Sequence, residues 1–453
     1  MSDSSVKLLE LARSMVERAR ALGADVAEAS ARGGFELSVR VRLGEPELVE
    51  EAGHHSVSLR VIKAQRVAVT ATSDLSQAGL ERCVSDALEL SELSEADPFA
   101  GPAESSELAQ PPFVDLDIFD ESVSTIDAAE AIRRATLAER AALGHDKRIG
   151  LSEGATFARS EGVSALVLSN GFEAALRSSY ASLSVAPVAE DEGGKKRRGH
   201  YWTGARHAAL LEDPESVGRE AARRTLDKLG AKKIATTEAP VIFDPDVARG
   251  LVGSFAGCIL GGSIWRKASY LMEREGTPVA SPLVTIVDDP LIPRAPGSRP
   301  FDGEGLASRK NGVVDGGVLK TFLCDWYSAR KLGRVSTASA GRGGGSIGPT
   351  TTNFILKAGT TAPEAILAST PRGLYVTELM GFGFNPVTGD FSRGAAGFWL
   401  ENGERAYPVG EITISSTLDA MLKGIDAVGS DLVLKTSTAA PTLRVATMTI
   451  SGS

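Results

Sequence analysis

Phe35-Glu-Leu-Ser-Val-Arg-Val-Arg42 alternates apolar and polar side chains without a break. Successive side chains of a strand point to opposite faces, so Phe35, Leu37, Val39 and Val41 are expected on a buried face. Glu36, Ser38, Arg40 and Arg42 fall on the exposed one. The segment before it has a different period: Leu8, Leu11, Ala12, Met15, Val16, Ala19 and Leu22 recur at helical spacing, and Gly23 stands where a left-handed residue ends a helix. Beyond it, residues 57–62 and 67–72 alternate again, and Leu80, Val84, Ala87 and Leu88 mark a second helix. The opening of the chain therefore predicts an antiparallel meander with helices packed on it.

Residues 92–123 are rich in Pro, Ser, Asp and Glu and show neither period, which predicts a long connection. A third helix is expected over 127–143. Ser169-Asn170-Gly171 separates two β-rich runs and predicts a second hairpin that extends the first sheet. Helical spacing returns over 213–229 and ends at Gly230, and the texture then changes near 236–240. The expectation is an α+β chain with an N-terminal α+β domain over 1–235. A mainly antiparallel, barrel-like β domain with a few helices is expected over 236–453. A chain of 453 residues with 42% hydrophobic residues is long enough for two cores.

Composition narrows the function. A net charge of -9 disfavours a nucleic-acid ligand, which needs a concentrated basic face. The one basic run, Lys195 to Arg198, reads as a solvated loop tip. No apolar run reaches the roughly 18–20 residues that cross a bilayer, and the polar start is unlike a signal peptide. Three widely spaced cysteines, Cys83, Cys258 and Cys324, fit a reducing compartment. A cytoplasmic protein with structural thiols and no membrane partner is expected.

The usual catalytic patterns fail one by one. The five histidines include no HExxH or HxE spacing, and His54 and His55 point to opposite faces of any strand. Gly344 to Gly348 satisfies G-x-S-x-G around Ser346, but Ile347, Gly348, Pro349 and three threonines come next, with no helix signal and no later histidine. The Gly341–Gly348 cluster reads as a peptide-admitting groove or as a surface loop. The carboxylate pairs Asp288/Asp289 and Asp302/Glu304 read as turn and surface groups.

Several long strings carry a resemblance. They are Gly261-Gly-Ser-Ile-Trp-Arg-Lys-Ala-Ser-Tyr270, Thr285-Ile-Val-Asp-Asp-Pro290, Phe301-Asp-Gly-Glu-Gly305 and Tyr327-Ser-Ala-Arg-Lys-Leu-Gly333. Thr377-Glu-Leu-Met-Gly381, Thr388-Gly-Asp-Phe-Ser-Arg-Gly-Ala-Ala-Gly-Phe-Trp399 and, more weakly, Asp97-Pro-Phe-Ala-Gly101 complete the set. Together they resemble the TldD/PmbA family, named as modulators of DNA gyrase, in its PmbA/TldE-like branch. In the TldD branch a helix carries HExxxH, two zinc-binding histidines and a general base, and a later cysteine is another ligand. The matching segment here is Gly253-Ser-Phe-Ala-Gly-Cys258, so Gly253, Ser254 and Cys258 occupy degenerate metal-site positions. No cysteine occurs after Gly429.

The resemblance implies a non-catalytic, metal-free subunit of a heterodimeric metalloprotease acting on unfolded or short peptides. It places zinc in a TldD-like partner, and no cofactor and no catalytic residue in this chain. Gly381, Gly383, Asp390, Arg393, Phe398 and Trp399 are the candidate peptide-binding residues, the glycines for close backbone approach and the aromatics as an apolar wall. The alternative is a homodimeric peptide- or ligand-binding protein without protease activity.

Overall fold

Ala27, Ala29 and Ala31 have side chains too small to read as an apolar repeat, yet all three are buried in the computed structural model, which describes residues 3–452. They belong to β1 (Val26–Arg42), which therefore begins well before Phe35. α1 (Asp3–Ala21) leads into it, ending at Gly23 with φ +100°. β2 (Glu45–Lys63) and β3 (Arg66–Thr72) return antiparallel on one side of β1, and α2 (Gln77–Leu93) comes after them.

After a long connection and the single turn α3 (Glu121–Ser124), α4 (Ala128–Leu143) starts from Asp127, whose carboxylate accepts the Glu130 N–H at 2.8 Å. β4 (Ile149–Leu168) and β5 (Glu173–Glu190) form the second hairpin, and β4 pairs with β1, so this hairpin extends the first sheet. The short β6 (Lys196–Arg198) and β7 (Tyr201–Ala205) both pair with β5, and α5 (Pro214–Leu226) completes this half.

These strands are long enough for one face to carry two helix layers. α1 and α2 cover Ala27, Ala29, Ala31, Leu59 and Ala165 at one end. α4 and α5 cover Leu37, Val39, Val41, Phe157 and Leu183 at the other. Phe35 lies at the junction, where neither layer reaches, and is 53% exposed rather than buried. Its ring lies over Gly53 on β2, where an added Cβ would come within 3.1 Å of it.

The second half is built round a closed ring. β8 (Thr237–Phe243) leads to α6 (Pro245–Cys258) and α7 (Gly261–Trp265), the helical start expected there. β9 (Ile286–Asp288), β10 (Asn311–Asp315) and β11 (Val318–Leu319) begin a small sheet, and α8 (Trp326–Lys331) comes next. β12 (Ala340–Gly343) and β13 (Ser346–Pro349) make a two-stranded hairpin, and β14 (Phe354–Leu356) joins the small sheet. α9 (Pro363–Ala368) then precedes β15 (Arg372–Met380), β16 (Asp390–Glu401) and β17 (Glu404–Thr417). α10 (Leu418–Lys423), β18 (Ile425–Val428), β19 (Thr438–Ala439) and β20 (Leu443–Ser451) end the chain's regular structure.

β8, β15, β16, β17 and β20 close on themselves through the β17–β20 pairing, and only β8–β15 within this ring is parallel. Closure removes the open edges that a five-stranded sheet would present. Phe243, Val376, Ile414 and Trp399 share one core with Leu251, Val252 and Phe255 of α6.

Several seams join the halves, and family-resembling strings meet in one of them. Tyr327 Oη donates to Asp97 Oδ2 at 2.6 Å, and Lys331 Nζ stands 3.6 Å from Asp97 Oδ1 and 4.2 Å from the Phe99 ring centroid. A Cβ at Gly101 would meet the Arg330 guanidinium, so glycine lets that side chain lie against the backbone here. In another seam Arg342, on β12 near the tip of the β12–β13 hairpin, donates to Glu28 Oε2 at 2.5 Å, and Arg60 donates to Oε1 at 3.0 Å. Tyr327→Phe deletes one charge-assisted hydrogen bond and is expected to cost about 1.5 kcal/mol, read from a urea unfolding midpoint. An unchanged midpoint would assign this seam to Lys331 and to Arg330, which donates to Phe99 O and Pro102 O at 3.3 Å each.

Candidate functional site

α6 is set by its ends and its apolar stripe. Asp244 accepts the Asp246 N–H at 3.1 Å, and Pro245 stands at the first helical position, where its missing N–H costs nothing. Val247, Leu251, Val252, Phe255 and Cys258 face the core. Gly250, Gly253 and Gly257 lie on the opposite face, exposed, with open space where a Cβ would project.

The three degenerate positions thus have different surroundings. Gly253 offers no ligand atom. Ser254 Oγ donates to Gly250 O at 3.1 Å, within its own helix. Cys258 is fully buried, 3.9 Å from Pro386 O, and burial pushes its thiol up to about 12. A zinc site needs converging deprotonated ligands, and among the described residues no group of three His, Cys, Asp or Glu could hold a metal ion. The residues on α6 do not fit zinc.

Cys83 and Cys324 are buried as well, and burial raises both thiols. A native titration with a disulfide reagent at pH 8 is expected to find no reactive thiol, and all three cysteines after unfolding. Fast native reaction at Cys258 would place it outside the core.

The β15–β16 connection holds two of the candidate peptide-binding residues, Gly381 and Gly383, and β16 itself carries Asp390, Arg393, Phe398 and Trp399. Gly381 has φ +77°, a conformation L side chains rarely adopt, and Phe382 beside it is fully exposed. Gly383 cannot carry a side chain, since a Cβ would stand 1.6 Å from Ser392 O. Asp390 is exposed and accepts from Thr388 Oγ1 at 2.5 Å, while Arg393 keeps a buried Nε without a hydrogen-bond partner.

Phe398 and Trp399 separate from one another. They are adjacent on β16, so they face opposite sides: Phe398 lines a cavity outside the ring, and Trp399, 4% exposed, lies in the ring's core. They do not form one wall.

Several groups read as solvated are not. Asp288, Asp302 and Glu304 are buried. Asp302 accepts three backbone N–H groups, from Glu304 at 2.9 Å and from Leu306 and Ala340 at 3.0 Å each. Glu304 accepts from Trp326 N at 2.7 Å, and burial pushes both carboxyls up. Asp288 accepts from Thr352 N at 2.6 Å and burial raises it to about 6.

The basic run is solvated as expected at Lys195, Lys196 and Arg198, but residues 196–198 form edge strand β6 rather than a loop tip, with Arg197 paired to Asp191 at 2.7 Å and Arg198 to Glu153 at 2.9 Å. The Gly341–Gly348 cluster is the β12–β13 hairpin, whose tip at Gly345 packs against Val69 and Ser58. Ser346 is exposed and opens a strand, not a helix, so it is no nucleophile elbow.

A cavity of about 660 Å³ opens where β6, β7, α5 and the start of α6 meet the outer faces of β16 and β17. Sequence reasoning placed Phe398 near a ligand but missed the cavity's arginines, Arg249 and Arg405. Only Arg249 had a local signal, one turn before Gly253 on the same helical face.

Comparison with known proteins gives a consistent result along the chain. Residues 236–452 match the family model described as the PmbA/TldA metallopeptidase C-terminal domain, residues 121–229 the central domain, and residues 27–91 domain 1. The chain is 38% identical over 430 residues to Metalloprotease PmbA of Escherichia coli O157:H7, covering 95% of this chain and 92% of that one. The crystal structure of a putative modulator of DNA gyrase from Bacteroides thetaiotaomicron superposes with a TM-score of 0.92 at 26% identity, over 100% of both chains. TldE from Thermococcus kodakarensis shares the fold, with a TM-score of 0.87 at 20% identity over 98% of this chain and 100% of that one. Three consecutive domain matches and a full-length relative leave one conclusion: this chain is a member of the PmbA/TldD family of metallopeptidases.

Proposed function

We propose that this chain is the metal-free, non-catalytic subunit of a TldD/TldE-type heterodimeric metalloprotease, working in the cytoplasm on unfolded or short peptides. The TldD-like partner holds the zinc and cleaves; peptide maturation and antitoxin turnover are the processes it serves. The chain divides for this task into an N-terminal unit, 1–235, and the ring-containing unit, 236–453.

One observation carries the reading. α6 presents glycine and a self-bonded serine where the ligand and base would stand, and turns Cys258 into the core. Loss of every group needed to bind metal and activate water leaves binding and positioning as this chain's part. The exposed Gly381–Gly383 turn, Asp390, the unengaged Arg393 Nε and Phe398 are the groups proposed to meet an extended peptide.

The test is zinc content and peptidase activity for this chain alone, then mixed with the TldD-like protein of the same organism, using an unstructured peptide. Neither property is expected alone, and both in the mixture, with cleavage lost when the partner's HExxxH glutamate is replaced. Stoichiometric zinc and cleavage by this chain alone would overturn the proposal. Peptide held but never cleaved by the mixture would favour the homodimeric binding protein.

A further inference from the structure

We infer that the cavity between α5, β6 and the outer faces of β16 and β17 is a binding site for an oxyanion, a carboxylate or phosphate group, gripped by Arg405 and Arg249. This goes beyond the subunit reading and does not depend on a partner. Gly253 and Ser254 are not among the residues that line the cavity.

In a chain of net charge -9, eight lysine and arginine side chains line this cavity against five carboxylates. Most of the lining charges are already matched. Lys228 pairs with Glu378 at 2.5 Å, Arg224 with Asp246 at 3.1 Å, and Arg223 with Asp227 at 2.7 Å. Arg197 and Arg198 are held by Asp191 and Glu153, which are outside the lining. Asp244 is taken by the Tyr375 hydroxyl at 3.0 Å.

Two lining guanidinium groups remain without an ion pair closer than 3.8 Å among the described residues. Arg405 stacks 4.1 Å from the Tyr375 ring centroid and 5.1 Å from that of Phe398, with no ion pair among the described residues. Stacking uses the flat faces of a guanidinium and leaves its N–H groups, which lie in the plane, free to point at a ligand. Arg249 has a buried Nε without a hydrogen-bond partner, and the carboxylate that faces it, Asp246, is 3.8 Å away. A planar fork of this kind matches the two oxygens of a carboxylate or phosphate.

The remaining lining suits the body of such a ligand. Trp202, Met380 and Phe398 supply apolar surface, while Gly394 and Gly397 keep the strand side low. A volume of about 660 Å³ lies within the range of small-ligand pockets. β16 is paired on both sides, by β15 and β17, so no strand can be added to it and its share of recognition runs through side chains.

The experiment uses the full chain without partner, monitored by titration calorimetry and by Trp202 fluorescence. The probes are inorganic pyrophosphate and the blocked dipeptide acetyl-Glu-Glu-amide. Saturable one-site binding of at least one probe is expected. It should weaken by about tenfold or more in Arg405→Ala and in Arg249→Gln, as loss of a charge-assisted bond requires. Arg405→Lys should retain part of it. Arg266→Ala, the same charge loss outside the cavity, should change nothing. Binding of pyrophosphate alone assigns a phosphate ester as the ligand class, and binding of the dipeptide alone a peptide carboxylate; either supports the site. Failure of both probes, or unchanged affinity in Arg405→Ala and Arg249→Gln that melt like the parent, overturns it.

Discussion

Glu28→Ala lowers the stability of the protein by about 3–5 kcal/mol, measured by urea unfolding at pH 7. Glu28 is 3% exposed and is the shared partner of Arg342 and Arg60, themselves nearly buried. Removing it leaves two guanidinium groups desolvated and facing one another. The intact triad itself is worth far less than this figure, because desolvation of three charges offsets most of their attraction.

The same group predicts acid behaviour. Burial raises the Glu28 carboxyl, but the charges of Arg342 and Arg60 outweigh burial and hold it below its ordinary value of 4.5. A depressed carboxylate stabilises the fold above its unfolded pKa, and that contribution is lost as pH falls through the folded value. The parent protein should therefore lose stability below pH 4.5 faster than Glu28→Ala does. Parallel acid profiles for the two proteins would show that Glu28 is not ionised in the fold.

Trp399→Ala costs about 3–5 kcal/mol, as expected for a large aromatic deleted from a packed core. Phe398→Ala, its neighbour in sequence, costs much less, because its ring stands at a half-open cavity and leaves no sealed void. The pair distinguishes two roles by two readouts. Thermal unfolding should separate Trp399→Ala from the parent, and peptide or oxyanion binding should separate Phe398→Ala. If both variants lowered the melting temperature equally, the outward placement of Phe398 would be wrong.

The alternation of Leu37, Val39 and Val41 was legible because those side chains are large and their strand has one covered face. The stretch before it was not, since buried alanines under a close-lying helix carry no apolar contrast. Phe35 misled for a related reason: periodicity reports the face, and only the tertiary arrangement reports where a helix layer ends.

Asp302 and Glu304 were misjudged because their type usually seeks water, and the contact that ties Asp302 into the fold beyond its own turn, from Ala340 N, comes from 38 residues away. The degenerate positions of α6 could be read from motif alignment. The arginine-lined cavity could not, because it assembles segments from both halves of the chain, and no local pattern announces a meeting of that kind.

The Glu28–Arg342 contact spans 314 residues of sequence. On a ribosome adding about 5–20 residues each second, Glu28 waits roughly 15–60 s for its arginine to be made. Throughout that interval Glu28 has only Arg60 as its ionic partner, whereas Leu166, Leu168 and Phe172, covered on one side by Leu108 and Phe113 of the same half, lack the Phe301 ring. The nascent N-terminal half thus emerges with one side of that cluster open to water, and the speed at which the chain emerges through Phe301 sets how long it stays so.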